Sequence, residues 1–235
     1  MRPIVSIASP GNGSGKTSLA VTILRAHPGA FTAVKMTTVY RDGENCPRTE
    51  AACACRTLHG PYTVVSDPTV VAAPGTDTGK LHAAGARRTL WCLSIPSATT
   101  LAWTHLVSDL LEPGEAVLTE GNRIAAAADP DLLILVVNPE TPRARWKGDT
   151  WDLAARSALV VVNIPAGAGD AASSAMARDL ATEIGARCAA PRAFPARVVL
   201  QDVTVPLERW SDPEPARLLS ALLARRGHGQ RTAGG

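Results

Sequence analysis

The sequence predicts an α/β chain built in three layers, a mostly parallel β-sheet with helices on both faces, and three observations carry that prediction. Short apolar runs recur at 4–8, 32–36, 89–93, 116–120, 132–137 and 158–162. Runs with so little polar alternation are what strands buried on both faces require. Stretches of helical periodicity separate many of these runs, so strand and helix alternate as parallel pairing demands. The first run, moreover, passes through a glycine-rich turn directly into an amphipathic helix. About six or seven strands are expected, a usual size for such a sheet.

The first strand is Ile4-Val5-Ser6-Ile7-Ala8, and the helix after the turn carries Leu19, Val21, Ile23 and Leu24 on its apolar side. Thr32 to Met36 forms the second strand. Periodicity is then lost over about 37–60, an irregular insert, and a long loop inside a compact domain is usually functional or mobile. Tyr62 to Ser66 has the composition of a short extra strand, and Pro74-Gly75-Thr76-Asp77-Thr78 opens a helix to about Gly85. Thr89 to Leu93 is the next strand. Ser97 is the expected cap of a helix reaching Leu111, with Leu101, Leu106, Leu110 and Leu111 facing inward. Ala116 to Glu120, Leu132 to Val137 and Ala158 to Asn163 are buried strands. A helix from about Asp170 to Ile184, a last strand at Val198-Val199-Leu200 and a helix over Pro215 to Ala224 complete the chain. Residues 1–224 read as one domain, and 225–235 as a disordered tail with few apolar anchors.

The turn between the first strand and helix is Ser9-Pro10-Gly11-Asn12-Gly13-Ser14-Gly15-Lys16-Thr17-Ser18. Gly11, Gly13 and Gly15 allow successive N–H groups to point inward around an anion, and the helix N-terminus adds further unpaired donors. Lys16 is placed to reach β- and γ-phosphates and the Thr17 hydroxyl to hold Mg²⁺, which is the G-x-x-x-x-G-K-[ST] phosphate loop with Pro10 in place of its first Gly. The expected fold is therefore that of a phosphate-loop NTPase, binding ATP or GTP through residues 11–18. Glu120 ends a buried strand in Leu118-Thr119-Glu120-Gly121, the place from which a carboxylate holds Mg²⁺ in such enzymes, and it is read as a catalytic and metal residue beside Lys16. Glu115 precedes the strand and is poorly placed for that role. Asn163 could read a purine edge or cap the next turn; Ile164 and Ala166 depart from the Asn-Lys-x-Asp guanine signature, so the base stays open.

Cys46, Cys53 and Cys55, with His59 nearby, form a loose cluster on the irregular insert, a candidate Zn²⁺ or iron–sulfur site, or else unligated loop thiols. Cys92 and Cys188 read as core. Arg143, Arg145, Trp146, Lys147 and Trp151 follow a buried strand, either as a clamp for an anionic or planar ligand or as a solvated loop with packed Trp rings. Asp77 and Thr78 lie at a helix start, where capping is the simple role.

Composition excludes several classes. The net charge is +3 with only 19% charged residues among 235, so no strong field for nucleic acid or membrane is present. No apolar stretch approaches a membrane span. An N-terminus already engaged as a core strand leaves no room for a cleavable signal peptide, and five cysteines do not make a disulfide scaffold; a cytoplasmic location is the simplest expectation.

Four features together resemble the molybdopterin-guanine dinucleotide biosynthesis protein B family, within the wider class of dethiobiotin synthetase and the metallocentre-assembly GTPases. They are Gly13 to Leu19, a second strand carrying Lys35, Pro74 to Lys80 leading into Ala83-Ala84-Gly85-Ala86, and Thr119-Glu120-Gly121. The chain departs from that family after Lys35, where Met36-Thr37-Thr38 replaces a histidine-rich run, and in the cysteine-bearing insert. The resemblance implies a Mg²⁺-dependent NTP-binding and hydrolysing protein serving cofactor or metallocentre assembly, with a cofactor-biosynthesis or metalloenzyme partner. It leaves open a ligase or small-molecule kinase of the dethiobiotin synthetase type, towards which Asn163-Ile164-Pro165 leans, and a nucleotide-switched accessory protein. Members of the wider class often work as dimers, so a homodimer is the corresponding expectation.

Overall fold

The computed structural model describes residues 2–40, 58–164, 171–188 and 197–229. In it β1 (Ile4–Ala8) runs through the glycine-rich turn into α1 (Lys16–Ala26), followed by β2 (Phe31–Thr38), β3 (Tyr62–Val65), α2 (Pro68–Val71) and α3 (Asp77–Ala83). Then come β4 (Arg88–Ser94), α4 (Thr99–His105), β5 (Ala116–Glu120), α5 (Asn122–Ala127), β6 (Leu132–Val137) and α6 (Thr150–Arg156). β7 (Leu159–Asn163), α7 (Ala171–Cys188), β8 (Arg197–Gln201) and α8 (Glu214–Gly229) complete it.

The strands form one eight-stranded sheet in the order β3-β4-β2-β5-β1-β6-β7-β8. Every pairing is parallel except β3 with β4. Because side chains alternate across a strand, each central strand splits its residues between two cores. Val5 and Ile7, Phe31 and Ala33, Leu118, and Leu132, Ile134 and Val136 pack on one face with α1, α3 and α8. Leu133, Leu135, Val137, Val160 and Val162 face α6 and α7 on the other, where Val34, Met36, Leu90 and Val117 meet α4 and α5 further along. This is a three-layer α/β fold, a mostly parallel sheet with helices on both faces.

The chain lays β2, β4 and β5 on one side of β1 and β6, β7 and β8 on the other. The C-terminal ends of these parallel strands therefore share one edge, with a crevice where the strand order diverges, which is where α/β sheets place ligands. The ends brought there are Ala8, Lys35 and Thr38, Glu120, Val137, Asn163 and Gln201. Lys35 on β2 is in register with Glu120 on β5, and Ile7 on β1 is in register with the same Glu120.

Several expectations are corrected. Among the described residues there are eight strands, because both the antiparallel β3 and β8 join the sheet. Ser97 lies inside a 3-10 turn, Pro96–Ala98; Ala98 is the cap of α4 and makes no side-chain cap bond. Leu101 does not face inward but is 56% exposed, whereas Leu106 and Leu111 are buried. The long helix expected to Leu111 is α4 followed by a π-helical turn, Leu106–Leu110, held at its end by the Arg2 guanidinium donating to the carbonyls of Leu111 and Glu112. Three helices were not anticipated: α2, only four residues long, α5, six residues long, and α6, which begins inside the segment read as a loop. The last helix, expected to end near Ala224, continues to Gly229 into the segment read as a tail. No helix among the described residues is long and apolar enough to cross a membrane.

Candidate functional site

The glycine-rich turn closes onto α1 through Gly15, which caps the helix at φ 100°, with the Leu19 N–H bonded to the Gly15 carbonyl at 2.9 Å. A side chain there would be strained twice, by the left-handed backbone and by the Asn163 Nδ2, which lies 2.7 Å from where a Cβ would stand. Three neighbours fix the turn from outside. Asn122 brackets Ser9, accepting its N–H at 3.0 Å and donating to its carbonyl at 2.8 Å. The Lys147 N–H donates to the Pro10 carbonyl at 3.0 Å. The Asn163 amide donates to the Ser14 carbonyl at 3.4 Å. Pro10, which cannot offer an N–H to a phosphate, thus contributes its carbonyl to the scaffold. Asn12 and Gly13 form the exposed tip, while Ser14 is buried with its hydroxyl on the Gly11 carbonyl.

Inside the turn, the Lys16 ammonium donates to the Ser9 hydroxyl at 2.6 Å and to the Gly11 carbonyl at 3.2 Å. Burial pushes Lys16 down to about 8; the Glu120 carboxylate opposes that drop, and the ammonium groups of Lys147 and Lys35 add to it. Desolvation of this kind is what a cation suffers where an anion is expected to complete its surroundings.

Across the crevice lies a connected ionic group. The Thr17 hydroxyl contacts both oxygens of Glu120 at 3.0 Å, and the Lys35 ammonium lies 2.5 Å from Glu120 Oε1 and 2.8 Å from Asp77 Oδ2. The Glu120 side chain is only 2% exposed. Burial alone would lower Lys35, but Glu120 and Asp77 hold its proton and raise it above the usual lysine value. Asp77 is half-buried; its desolvation is outweighed by Lys35, then Lys80 and Lys16, and it stays below the usual carboxylate range.

A hydroxyl and a carboxylate at the mouth of a phosphate-type loop form a hard-oxygen donor set, the chemistry Mg²⁺ takes when phosphate oxygens and water complete its shell. Among the described residues no group of three or more His, Cys, Asp or Glu could hold a metal by protein ligands alone. Cys46, Cys53 and Cys55 lie outside the described residues. His59, named beside them, has its backbone N–H on the Thr63 hydroxyl at 2.8 Å. Cys92 and Cys188 are buried, and burial pushes the Cys92 thiol up to about 12, an unreactive core group.

Asn163 is 7% exposed, and both ends of its amide are engaged, with Oδ1 accepting the Val203 N–H at 3.3 Å. Val203 in turn accepts the Thr22 hydroxyl of α1 at 2.6 Å. This residue therefore ties the phosphate-type loop to the turn after β8. Glu115 is at the opposite end of β5 and is buried with Thr32, the Arg88 guanidinium and the Glu112 N–H, a structural anchor away from the crevice.

Sequence reasoning missed two participants. Asp77 does not cap α3; Thr76 does, its hydroxyl accepting the Gly79 N–H at 2.9 Å, which leaves the Asp77 carboxylate for Lys35. Asn122, directly after Glu120-Gly121, brackets Ser9. Its position after a strand-end glycine was the only available signal. The basic, Trp-bearing segment is the solvated loop with packed Trp rings: Arg143, Arg145 and Lys147 are exposed, while Trp146 and Trp151 are half-buried against the core. Arg143–Arg145 forms a 3-10 turn, and the Trp146 and Trp151 rings pack 5.2 Å apart.

No protein-family model and no curated protein matches this chain. Solved structures are similar to it, two of them as follows. One is a LAO/AO transport system kinase, at TM-score 0.46 and 12% identity over 99% of this chain and 67% of that one. The other is the 54 kDa signal recognition particle protein of Aeropyrum pernix K1 in complex with GDP, at TM-score 0.45 and 14% identity over 97% of this chain and 50% of that one. The chain thus spans between half and two thirds of the length of these structures.

Proposed function

We propose that this protein is a Mg²⁺-dependent nucleoside triphosphate-binding and hydrolysing protein. The observation that carries the reading is the convergence on one crevice of the Lys16 ammonium and the Thr17 hydroxyl, both from the first turn of α1, with the Glu120 carboxylate from the end of β5. Lys16 and the N–H groups of residues 11–17 would hold the phosphates, with the Thr17 and Glu120 oxygens holding Mg²⁺. That ion would supply neutralisation of phosphate charge. Phosphoryl transfer leaves little covalent work for side chains, so the protein's share is positioning and fixed charge. Lys16 and Lys35 are the cations available to meet charge developing on the phosphoryl oxygens, and Lys35 is steered by Asp77 from the far side.

The likeness of residues 74–86 and 119–121 to the protein B family supports a role in assembling a molybdenum cofactor or a metallocentre, with a metalloenzyme or biosynthetic partner. A second reading is phosphoryl transfer to a small-molecule acceptor, for which the exposed basic segment 142–149, fastened to Pro10 at the crevice, offers a binding surface.

The test is calorimetric titration of ATP, GTP and their diphosphates with Mg²⁺, on the wild type and Lys16→Ala. Binding of one triphosphate that falls by about a hundredfold or more in Lys16→Ala, the scale of a buried charge-assisted contact, supports the site. Unchanged affinity in the variant refutes it. Turnover without any acceptor separates a hydrolase from a transferase.

A further inference from the structure

The segment 138–149 between β6 and α6 crosses the front of the phosphate-type loop as a strap. It is fastened there by the Lys147 N–H on the Pro10 carbonyl at 3.0 Å and by the Asn122 amide on Asp149 Oδ1 at 3.4 Å. Thr141 and the Arg145 carbonyl also lie beside Gly11, each 3.9 Å from where a Gly11 Cβ would stand. Its outer side is held just as firmly. The Arg143 guanidinium covers the Trp146 ring at 4.2 Å, Trp146 packs on Trp151, and the Arg187 guanidinium covers Trp151 at 4.2 Å. Glu183 of α7 closes the stack, 2.9 Å from Arg143 and 3.5 Å from Arg187. Stacking of this kind spends the two arginines on structure. Arg145 and Lys147 are the cations of the strap outside that stack, and of the two it is Lys147 whose backbone is fastened to Pro10 and whose charge acts on Lys16.

No hydrogen bond or ion pair engages the Lys147 ammonium among the described residues, and the side chain is exposed. It is near enough to Lys16 to act on its charge. The exposed Lys147 adds positive charge near the buried Lys16 ammonium, a repulsion that an anion lying between the two groups would offset.

We propose that Lys147 is a phosphate-contacting residue that grips the terminal phosphate of the bound triphosphate from the strap side, opposite Lys16, and so distinguishes triphosphate from diphosphate. This rests on the nucleotide reading above. The stack of Arg143, Trp146, Trp151 and Arg187 is the support that sets the height of the strap above the loop.

The experiment titrates a non-hydrolysable triphosphate and the corresponding diphosphate, each with Mg²⁺, into wild type, Lys147→Ala and Lys147→Arg. The expected result for Lys147→Ala is a loss of about tenfold in triphosphate affinity, the scale of one charge-assisted contact, with diphosphate affinity unchanged. Lys147→Arg should retain most of the affinity. Lys147→Ala removes a like charge near Lys16 and no hydrogen bond or ion pair of the described residues, so the thermal midpoint should not fall. Unchanged triphosphate binding in Lys147→Ala, or equal loss for both nucleotides, overturns the proposal while the nucleotide site stands. A wild type that binds neither nucleotide overturns the site and this proposal together.

Discussion

Raising the pH should weaken triphosphate binding from a point well below the ordinary lysine range. Free Lys16 is depressed to about 8 by burial, so at pH 9 most unliganded molecules carry it neutral. A bound polyphosphate replaces the missing surroundings with negative charge and drives its pKa up again. The liganded form then holds a proton that the free form has lost. Between pH 8 and the liganded pKa, affinity falls by about tenfold per pH unit, and binding at pH 9 takes up roughly 0.9 proton. The terminal phosphate is already fully ionised above pH 8, so this proton has to go to the protein. Titration calorimetry at pH 9 in buffers of different ionisation enthalpy measures the uptake directly, and Lys16→Ala should abolish it. Flat affinity from pH 7.5 to 9.5 with no buffer dependence would refute the placement of Lys16 against the phosphates. The same depression has the opposite sign for stability in the free protein. Folding releases the Lys16 proton between about 8 and the unfolded value of 10.5, so the penalty of burying this charge is present below 8 and relieved as pH rises through that window.

Gly15→Ala should destabilise the fold by roughly 2–4 kcal/mol, combining left-handed backbone strain with displacement of Asn163 and its two hydrogen bonds. Gly13→Ala, at φ 75° with nothing within 4 Å of the added Cβ, should lose only the strain, about 1–2 kcal/mol. Equal denaturation midpoints for the two variants would contradict the packing of Asn163 against the loop. Glu120→Gln should lose the Mg²⁺ dependence of triphosphate binding and most turnover. Because it takes an anion from the buried Lys35, it should also cost on the order of 1–3 kcal/mol, less than a full break because Asp77 remains. Magnesium titrations that match the wild type would remove Glu120 from the metal site.

The central strands were legible because burial on both faces writes itself as continuous apolar sequence, and Lys16, Thr17 and Glu120 because a phosphate-type loop needs fixed residue types at fixed spacing. What escaped detection depended on contacts far apart in the chain. Asp77 looked like a cap, since a carboxylate at a helix start and a carboxylate paired to a lysine on β2 have the same local sequence. Only the fold shows that Thr76 takes the capping role. Leu101 kept the helical period and still faces outward, because periodicity marks a stripe without saying how wide the covering layer is. Helix α5, six residues of Asn-Arg-Ile-Ala-Ala-Ala, is too short for a periodic signal and forms because Ile124 and Ala125 are buried against the sheet. The Trp146–Trp151 stack was invisible because its closing partners, Arg187 and Glu183, lie about one strand and one helix further along.

The crevice is preorganised in a particular way. Ser9 is bracketed by Asn122, Pro10 is pinned by Lys147 and Ser14 is held by Asn163, so the cradle is braced by its own protein neighbours on three sides. Its charges are not at rest in the same sense. Lys16 turns inward onto Ser9 and Gly11, groups that offer it no countercharge. Lys35 bridges the two carboxylates of the site, Glu120 and Asp77. In the proposed site Mg²⁺ would be held by the Thr17 and Glu120 oxygen atoms, where it would compete with Lys35 for Glu120. Asp77 would keep the Lys35 ammonium beside the crevice, so that its charge would be available to phosphoryl oxygens.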